Sequence, residues 1–263
     1  MIPYPSVDPN IVRVGPITIR WYGVMYLAGF LVSFLLASWE AKRRRIPVTA
    51  KELEDLYFYL ILGLLLGARL GYVFFYNFSA YLHRPFEILF IWQGGMSFHG
   101  GLLGSFILGT LFCKKRGLPF FLIADLVTPT CPIGLGLGRI GNFINGELYG
   151  RPSNLPWAMV FPGAGPFPRH PSQLYEALLE GLVLFFLLWM VRDKKRYEGD
   201  LFCLFLILYG IFRIFAEFFR EPDPQLGLFF GAITMGQILS AFMILSGLII
   251  RTLILPSYGL KGP

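Results

Sequence analysis

Long apolar runs alternate with short polar segments along the whole chain of 263 residues. A helix needs about 20 mostly apolar residues to cross the hydrocarbon core of a bilayer, and seven of the runs are long enough. The predicted spans are residues 18–39, 53–76, 95–113, 119–137, 172–191, 200–219 and 232–251. The pattern therefore predicts an all-α polytopic membrane protein, with residues 1–263 forming a single integral membrane domain.

Basic residues concentrate in the loops at one end of these spans. The sequences KRRR at 42–45, KKR at 114–116 and RDKKR at 192–196 each border a predicted span. Because loops rich in Lys and Arg stay in the cytoplasm, the N-terminus is predicted outside and the C-terminus in the cytoplasm. On the opposite side, residues 138–171 are too long for a simple connection and are predicted to form a small outward-facing head.

The composition agrees with a membrane protein and excludes several other classes. Hydrophobic residues make up 55% of the chain and charged residues 15%, and the mean hydropathy is +0.60. This balance excludes a disordered protein, a disulfide scaffold and an ordinary cytosolic enzyme. The net charge of +7 does not indicate nucleic-acid binding, because the basic residues border apolar runs and form no stripe interleaved with aromatics. The three cysteines lack the spacing of a metal site.

Polar and ionisable side chains inside the predicted spans favour one depth in the membrane. Each ionisable group there costs on the order of 3 kcal/mol, so each one prompts a functional hypothesis. In the predicted topology the following residues fall in the outer half of the bilayer: Tyr22, Arg69, His99, Arg139, Asn142, Glu176, Glu180, Arg213 and Glu217. Asp125 falls near the cytoplasmic end of its span and is predicted to be a structural carboxylate.

The sixth predicted span carries a polar stripe. Tyr209, Arg213, Glu217 and Arg220 follow one another at spacings of four, four and three, which places them on one face of a helix. The planar guanidinium of Arg213 suits a phosphate. The structural alternative for Arg213 and for Glu217 is an arginine–glutamate clamp between helices.

The segment GRIGNFINGELYG, residues 138–150, is the densest polar motif in the chain. Irregular backbone at membrane depth is tolerated only where it is buried in protein or lines a cavity. We interpret the segment as an unwound site for an anionic headgroup, with Arg139 on the phosphate and Asn142 and Asn145 as amide partners. A helix C-cap followed by a turn is the structural alternative.

Two further motifs each have a functional and a structural interpretation. His99 begins a predicted helix between paired glycines, so it could act as a base or donate to a phosphate, or it could only pack. Glu176 lies in the first turns of the fifth span, where the helix dipole alone favours a carboxylate. Whether Arg69, Glu176 and Glu180 contact a substrate or only brace Arg139 and Arg213 is left open by the sequence.

Together, these motifs resemble those of the bacterial prolipoprotein diacylglyceryl transferase family. The matching segments are WYGVMYLAG at 21–29, HGGLLG at 99–104, DLxxPxxPIGLGLGR at 125–139, GRIGNFINGELYG at 138–150, RHPSQLYEALLEG at 169–181, FRIFAEFFREPD at 212–223 and MGQILS at 235–240. The resemblance covers nearly the whole chain. The head is short between FPG and PRHPSQ, which bears on substrate access more than on chemistry.

The resemblance implies an enzyme of the bacterial inner membrane with seven helices, a periplasmic head and an active site toward the outer leaflet. It implies transfer of the sn-1,2-diacylglyceryl group from phosphatidylglycerol to the lipobox cysteine in the signal peptide region of a prolipoprotein. The products are a thioether and glycerol 1-phosphate, and the reaction is the first step of lipoprotein maturation. The resemblance implies no cofactor, no metal and no nucleic-acid partner.

The resemblance also assigns residues by motif. Arg139 and Arg213 match the positions for the lipid phosphate. The other matching positions are Tyr22, His99, Asn142, Glu147, Gly150, Tyr209 and Glu217. Because a thiol attacks well only as the thiolate, the reaction needs a nearby base, and His99 is the candidate. Asn142 and Tyr22 are expected to orient headgroup oxygens or the thiol.

Two rival functions are weighed on the same residues. A lipid or small-anion transporter would also place arginines in a bilayer cavity, but it should show internal repeats and polar residues toward both faces. An intramembrane protease would use serine and histidine residues such as Ser97, Ser172, His99 and His170. The GxSxG or paired-aspartate context of a protease is missing.

Overall fold

A short β-hairpin precedes the first helix in the computed structural model, which describes residues 2–5, 7–14, 17–90, 94–222, 229 and 231–258; the side chains of residues 14, 17, 76, 98, 99 and 258 also lie outside that description. Strand β1 (Asn10–Val14) pairs antiparallel with β2 (Ile17–Arg20). The sequences NIVRV and ITIR are rich in β-branched residues, which favour extended backbone. The prediction of an all-α chain with a first span from residue 18 was therefore wrong at this hairpin.

Helices overlap all seven predicted spans. They are α1 (Trp21–Arg43), α2 (Ala50–Tyr76), α4 (Phe98–Arg116), α5 (Phe120–Val127) with α6 (Cys131–Asn145), α7 (Ser172–Glu176) with α8 (Leu184–Val191), α9 (Asp200–Glu217) and α10 (Met235–Ile249). A 3₁₀ turn at Thr128–Thr130 joins α5 to α6, and a π-helical turn at Ala177–Val183 joins α7 to α8. The short helix α3 (Phe78–His83) and a 3₁₀ turn at Pro85–Leu89 follow α2, and π and 3₁₀ turns at Ile250–Ile254 and Leu255–Tyr258 follow α10.

Within the described residues, five helical segments are long and apolar enough to cross a membrane. They are Trp21–Arg43, Ala50–Phe75, Phe120–Asn145, Ser172–Val191 and Met235–Ser257. Helix α9 is not among them because it carries three charged residues, Asp200, Arg213 and Glu217, in its 18 residues. Charged side chains inside a membrane-spanning helix are rare and are often functional, so these residues also make α9 a candidate for the functional site.

Helix boundaries follow ordinary capping chemistry. Thr49 and Glu52 form a capping box at the start of α2, in which the Thr49 N–H donates to Glu52 Oε2 at 2.8 Å. Thr234 and Gln237 form the equivalent box at the start of α10. Helix α6 ends at Gly146, whose φ of +68° suits a glycine at a left-handed cap.

The chain divides into two compact units, Ser38–Ile123 and Met1–Ala37 with Ala124–Pro263. In the smaller unit, α2 packs closely on α4 through glycines. A Cβ added at Gly71 would lie 2.8 Å from Gly100 Cα, and one added at Gly67 would lie 2.8 Å from Gly104 Cα. Such contacts between small residues let two helix backbones approach within a membrane.

In the larger unit, α6 is the central element. A Cβ at Gly29 of α1 would lie 2.7 Å from Gly134 Cα, and one at Gly136 would lie 3.0 Å from Gly181 Cα in the π-helical turn. The glycines of α6 therefore let two neighbouring helices approach it closely. The segment after α6 contributes short bridges, Pro152↔Arg169 and Met159↔Arg169, and a small core of Met159, Phe161 and Ala164.

A buried ion pair joins α5 to the loop before α9. Asp125 Oδ2 accepts from Lys195 Nζ at 2.7 Å and from the Gly199 N–H at 2.9 Å. Asp125 Oδ1 accepts from the N–H groups of Leu201 and Phe202, each at 3.0 Å. This bonding agrees with the structural role predicted for Asp125.

Candidate functional site

Glu176, at the end of α7, contacts arginines from two other helices. Its Oε2 lies 2.6 Å from Arg213 Nη1 of α9 and 2.9 Å from Arg139 Nε of α6. Arg220 Nη1 lies 3.9 Å from the same oxygen. Two arginines separated by more than 70 positions in the sequence, Arg139 and Arg213, thus converge on one carboxylate oxygen.

Glu180 lies one turn further along and pairs with the same two arginines at longer range. Its Oε1 is 3.5 Å from Arg213 Nη1, and its Oε2 is 3.5 Å from Arg139 Nη2. Arg213 also donates from Nη2 to Glu217 Oε1 on its own helix. Ion pairs between helices, which the structural alternative for Arg213 predicts, are therefore present in a larger ionic cluster, defined here as Arg139, Glu176, Glu180, Arg213, Glu217 and Arg220.

The glutamate side chains of the ionic cluster are more deeply buried than its arginine side chains. The side chains of Glu176 and Glu180 are 0% exposed, whereas those of Arg139 and Arg213 are 15% and 12% exposed. Among the described residues, no acceptor contacts Arg139 Nη1 or Arg213 Nε. The accessible face of the cluster is therefore cationic, and it retains N–H donors that an anion could use.

The carboxylates behind that face also retain acceptor capacity. Glu176 Oε1 and Glu180 Oε2 are buried and accept no hydrogen bond from the described residues. Glu180 Oε2 has only the 3.5 Å ion-pair contact with Arg139. Most buried polar atoms in proteins are hydrogen-bonded, so such atoms are unusual and often belong to functional sites.

Backbone packing explains why the arginines meet the glutamates. A Cβ at Gly181 would lie 2.6 Å from Gly136 Cα, so α6 and the π-helical turn can touch only because both positions are glycine. Arg139 follows Gly136 by three residues and Glu180 directly precedes Gly181. The glycine contact therefore brings Arg139 alongside Glu176 and Glu180. Single π-helical turns inside helices frequently occur at functional sites.

The predicted headgroup segment proves to be mainly helical. Helix α6 extends to Asn145, so the prediction of unwound backbone was wrong for residues 138–145, and the fourth span ends later than residue 137. The positions of Ile140, Phe143 and Ile144 let the segment continue the amphipathic helix before Gly146 ends it. The helix C-cap that we considered as an alternative describes the end of this segment.

Three of the predicted site residues bond to one another around this cap. Asn142 Nδ2 donates to Glu147 Oε1 at 2.8 Å, and Asn145 Nδ2 donates to the same oxygen at 3.1 Å. The Glu147 carbonyl accepts from Gln173 Nε2 at 2.7 Å. Glu147 therefore orients both amides while α7 holds its backbone, and Gln173, which sequence reasoning missed, is completely buried.

Gly150 occupies a place that only glycine fits. Its N–H donates to the His170 carbonyl at 2.9 Å, and a Cβ there would lie 2.6 Å from His170 Cβ. Gly150 also forms an isolated bridge with Arg220. Its role in the structure is thus close backbone packing between the segment after α6, the start of α7 and the end of α9.

The two predicted tyrosines lie on different helices of the larger unit. Tyr22 donates from its hydroxyl to the Tyr26 hydroxyl at 3.2 Å and packs on α6, where a Cβ at Gly141 would lie 3.2 Å from Tyr22 Cα. Tyr209 is buried on α9 and stacks on Phe205 at a centroid distance of 5.6 Å. Tyr209 stands one turn before Arg213 on the same helix, as the stripe predicted.

The smaller unit carries the remaining two candidates. The backbone of His99 is in the first turn of α4, but its side chain lies outside the described residues. Arg69 donates to four backbone carbonyls, those of Glu87 (2.5 Å), Ile88 (2.9 Å), Gly94 (2.6 Å) and Gly95 (3.1 Å). Arg69 thus braces the connection between α2 and α4.

The sequence left open whether Glu176 and Glu180 brace Arg139 and Arg213, and in the structure both glutamates pair with both arginines. The available signal was two carboxylates four residues apart inside an apolar run, a spacing that places both on one helix face.

In the described part of the chain, no group of three or more His, Cys, Asp or Glu side chains is arranged to hold a metal ion.

One titratable group beside the site lies outside the spanning segments. Burial lowers the pKa of His170 below its usual value. The ring Nδ1 lies 3.2 Å from the Tyr175 hydroxyl, and the ring packs edge-on against Phe219 at 5.3 Å between centroids. His170 therefore favours its neutral form in the folded protein.

Comparison with known proteins confirms the family predicted from the motifs. The family model described as prolipoprotein diacylglyceryl transferase matches residues 9–253. The phosphatidylglycerol–prolipoprotein diacylglyceryl transferase of Bordetella avium is 54% identical over 255 residues, covering 96% of this chain and 97% of that protein. The proteins of the same name from Geobacter sulfurreducens (49% identical, 95% and 96% covered) and Vibrio vulnificus (54% identical, 94% and 91% covered) match similarly.

Proposed function

The chain belongs to the prolipoprotein diacylglyceryl transferase family, and we propose that it transfers the sn-1,2-diacylglyceryl group of phosphatidylglycerol to the lipobox cysteine thiol of prolipoproteins. The products are a thioether and glycerol 1-phosphate, and the reaction begins lipoprotein maturation. The names of the relatives and the five apolar helices support a multi-pass membrane transferase.

We also propose a finer topology for this enzyme. All seven helical segments cross the bacterial inner membrane as one integral domain, with the N-terminus and a head formed by residues 146–171 in the periplasm and the C-terminus in the cytoplasm. Basic residues at the ends of α1 and α4 and after α8 support this orientation. The ionic cluster then lies toward the outer leaflet, where it would receive phosphatidylglycerol and the lipobox region of a signal peptide.

The observation that carries the proposal is the cationic face of the ionic cluster. The side chains of Arg139 and Arg213 are partly exposed and have N–H groups without an acceptor among the described residues, while the carboxylates of Glu176 and Glu180 that pair with them are fully buried. Planar guanidinium groups bind phosphate oxygens through paired hydrogen bonds. The two arginines are therefore placed to bind the phosphodiester of phosphatidylglycerol.

The same arrangement suits the bond that breaks. The thiol loses its proton to a base, the thiolate attacks the glyceryl carbon, and the electron pair of the carbon–oxygen bond passes to the phosphate. The leaving group gains negative charge as it becomes a phosphate monoester. Fixed donors aimed at that developing charge, in a site poor in water, lower the barrier more than they strengthen ground-state binding.

The proposal also gives each of the other predicted site residues a role. His99 is the base that takes the thiol proton, because a thiol needs deprotonation to attack and His titrates near neutral pH. Asn142 and Asn145, oriented by Glu147, and Tyr22 direct headgroup oxygens or the thiol. Glu217 and Tyr209 support Arg213 on α9, and Gly150 permits the close backbone packing at the end of that helix.

A reconstituted transfer assay tests the proposal. Purified protein in detergent is mixed with phosphatidylglycerol and a synthetic lipobox peptide, and both peptide mass and glycerol phosphate release are followed. We expect diacylglyceryl addition that needs the peptide cysteine and collapses in Arg139→Ala. Arg116→Ala serves as a matched control, since Arg116 pairs with Asp55 at 3.1 Å on an exposed surface of the smaller unit.

The contrary result is also defined. Folded wild-type protein that neither modifies the peptide nor releases glycerol phosphate would contradict the transferase function. Movement of labelled phosphatidylglycerol across a vesicle membrane by that same protein would instead support the transporter.

A further inference from the structure

One carboxylate oxygen connects the two arginines that the proposed function needs. Glu176 Oε2 lies 2.6 Å from Arg213 Nη1 and 2.9 Å from Arg139 Nε, and the Glu176 side chain is completely buried. The two guanidinium groups reach it from different helices, α9 and α6. Within the described residues, Glu180 is the other side chain that pairs with both, at 3.5 Å from each.

We propose that Glu176 is a positioning residue that fixes the spacing and direction of Arg139 and Arg213 for the lipid phosphate, an inference that rests on the proposed function. Arginine side chains lose rotamer entropy when they are immobilised. Because Glu176 holds both arginine side chains before the substrate binds, this entropy is lost during folding and not during binding. The ion-pair contact through Arg139 Nε leaves Nη1 of that residue for the ligand, and the hydrogen bond from Arg213 Nη1 leaves Nε.

Charge alone makes the opposite prediction, which is what makes this inference testable. The ionic cluster contains three arginines and three glutamates and is therefore neutral when all are ionised. Replacing a glutamate by glutamine leaves one excess positive charge, and that charge attracts a phosphate more strongly. If Glu176 only tuned the field, Glu176→Gln would tighten phosphate binding. If Glu176 positions the arginines, the same substitution weakens binding.

The chain offers a matched control one turn away. Glu180 has the same side chain, the same complete burial and the same two arginine partners, but its contacts are 3.5 Å. Glu180→Gln removes the same charge and breaks only long contacts. The difference between Glu176→Gln and Glu180→Gln thus isolates positioning from charge.

The experiment measures phosphate affinity in two ways on purified protein. Calorimetry gives the Kd of glycerol 1-phosphate, and the transfer assay gives KM for phosphatidylglycerol and kcat. Thermal unfolding is followed in parallel. We expect Glu176→Gln to raise Kd and KM about tenfold, the value of one charge-assisted hydrogen bond. We expect Glu180→Gln, which breaks only long contacts and leaves one excess positive charge, to lower both.

Glu176→Asp provides a second variant that keeps the charge. Its carboxylate is shorter by one methylene and cannot hold both arginines at their present distances, so Kd and KM rise again. If Glu176→Gln does not fold, this variant carries the test alone. A Kd that is unchanged in Glu176→Asp, or no higher in Glu176→Gln than in Glu180→Gln, overturns the inference.

A purely structural role for Glu176 gives a different signature. It would lower the unfolding temperature while the Kd and KM of the folded molecules stay at wild-type values, and that result also overturns the inference. Failure of the proposed function can be distinguished from failure of this inference. A wild-type protein that binds glycerol 1-phosphate without transferring lipid contradicts the transferase function but not the positioning role of Glu176. The calorimetric comparison of Glu176→Gln with Glu180→Gln still decides the positioning role in that case.

Discussion

Two groups of buried charges in the larger unit contrast sharply in how their hydrogen bonds are completed. Asp125 receives one ammonium and three backbone N–H donors, and neither Asp125 nor Lys195 exposes its side chain. In the ionic cluster, Glu176 and Glu180 each have one oxygen that accepts no hydrogen bond from the residues that the structure describes, and their arginines are partly exposed. We call Asp125 with Lys195 the closed group and the ionic cluster the open group.

The difference indicates which group serves structure and which serves a ligand. A buried ion pair stabilises only when every donor and acceptor is satisfied, because desolvation otherwise exceeds the Coulomb attraction. Asp125 meets that condition with partners from its own chain. The ionic cluster does not, so its remaining donors are available to an anion, at some cost in stability to the free protein.

The largest effect is expected when the open group loses an arginine. Arg213→Ala should lower kcat/KM by about a thousandfold per folded molecule. The substitution removes hydrogen-bond donors to the lipid phosphate, and it also removes the positive charge that stabilises the negative charge developing on the leaving group. Arg213→Lys should recover only part of this loss, because an ammonium keeps the charge without the planar fork. The transfer assay measures both. Equal activity of the lysine variant and the wild type would show that paired donation from Arg213 is unimportant.

The closed group should respond in stability instead. Asp125→Ala leaves the Lys195 ammonium buried without its partner, which should cost about 3–5 kcal/mol of unfolding free energy. Activity per folded molecule should stay near wild type. Unfolding in mixed detergent provides the measurement, with Asp55→Ala as the control, since Asp55 pairs with exposed Lys51 and Arg116 and should cost less than about 1 kcal/mol. A large fall in activity without a fall in stability would remove the distinction between the two groups.

A methyl group at the glycine contact should connect stability to activity. Gly181→Ala places a Cβ 2.6 Å from Gly136 Cα, so the helices must separate. We expect a loss of about 1–3 kcal/mol of stability from overpacking and an accompanying rise in KM, because Arg139 moves away from Glu176. Gly23→Ala is the control, since its Cβ would meet nothing within 4 Å. An unchanged KM in Gly181→Ala would show that the cluster tolerates separation of α6 from the π-helical turn.

The smallest effect concerns pH and His170, which lies outside both groups. Because burial lowers the pKa of His170, the unfolded chain binds its proton more readily than the folded protein does. This contribution to stability is present above the unfolded pKa of about 6.5 and is lost as pH falls through and below that value. The unfolding temperature should therefore drop slightly more between pH 7.5 and 5.5 in the wild type than in His170→Gln. Identical slopes would contradict the assigned shift.

Sequence patterns located the helices well because apolar length is a local property. Each predicted span overlaps a helix, although α6 runs to Asn145 beyond the predicted end at 137. The β-hairpin before α1 was missed because its strands have only five and four residues. So short a β-branched stretch gives too little periodicity to separate from the start of a span.

The site was predictable in part for the same reason. Helical spacing placed Arg213 and Glu217 together on α9, and their pairing is present. Bracing of both arginines by Glu176 was one of the alternatives that the sequence left open, because this pairing depends on which helices touch. That contact is set by Gly136 and Gly181, which lie 45 positions apart. The base role of His99 stays a prediction.

The most direct test of the contrast is lipid binding by the two groups. Native mass spectrometry on protein released from detergent compares retention of phosphatidylglycerol with that of diacylglycerol bearing the same chains, in wild type, Arg139→Ala and Asp125→Asn. We predict that the wild type and Asp125→Asn retain phosphatidylglycerol in preference to diacylglycerol. We predict that Arg139→Ala loses this preference, because in this account Arg139 binds the phosphate, which diacylglycerol lacks. Retained preference in Arg139→Ala, or its loss in Asp125→Asn alone, would contradict the assignment of the open cluster to the lipid phosphate.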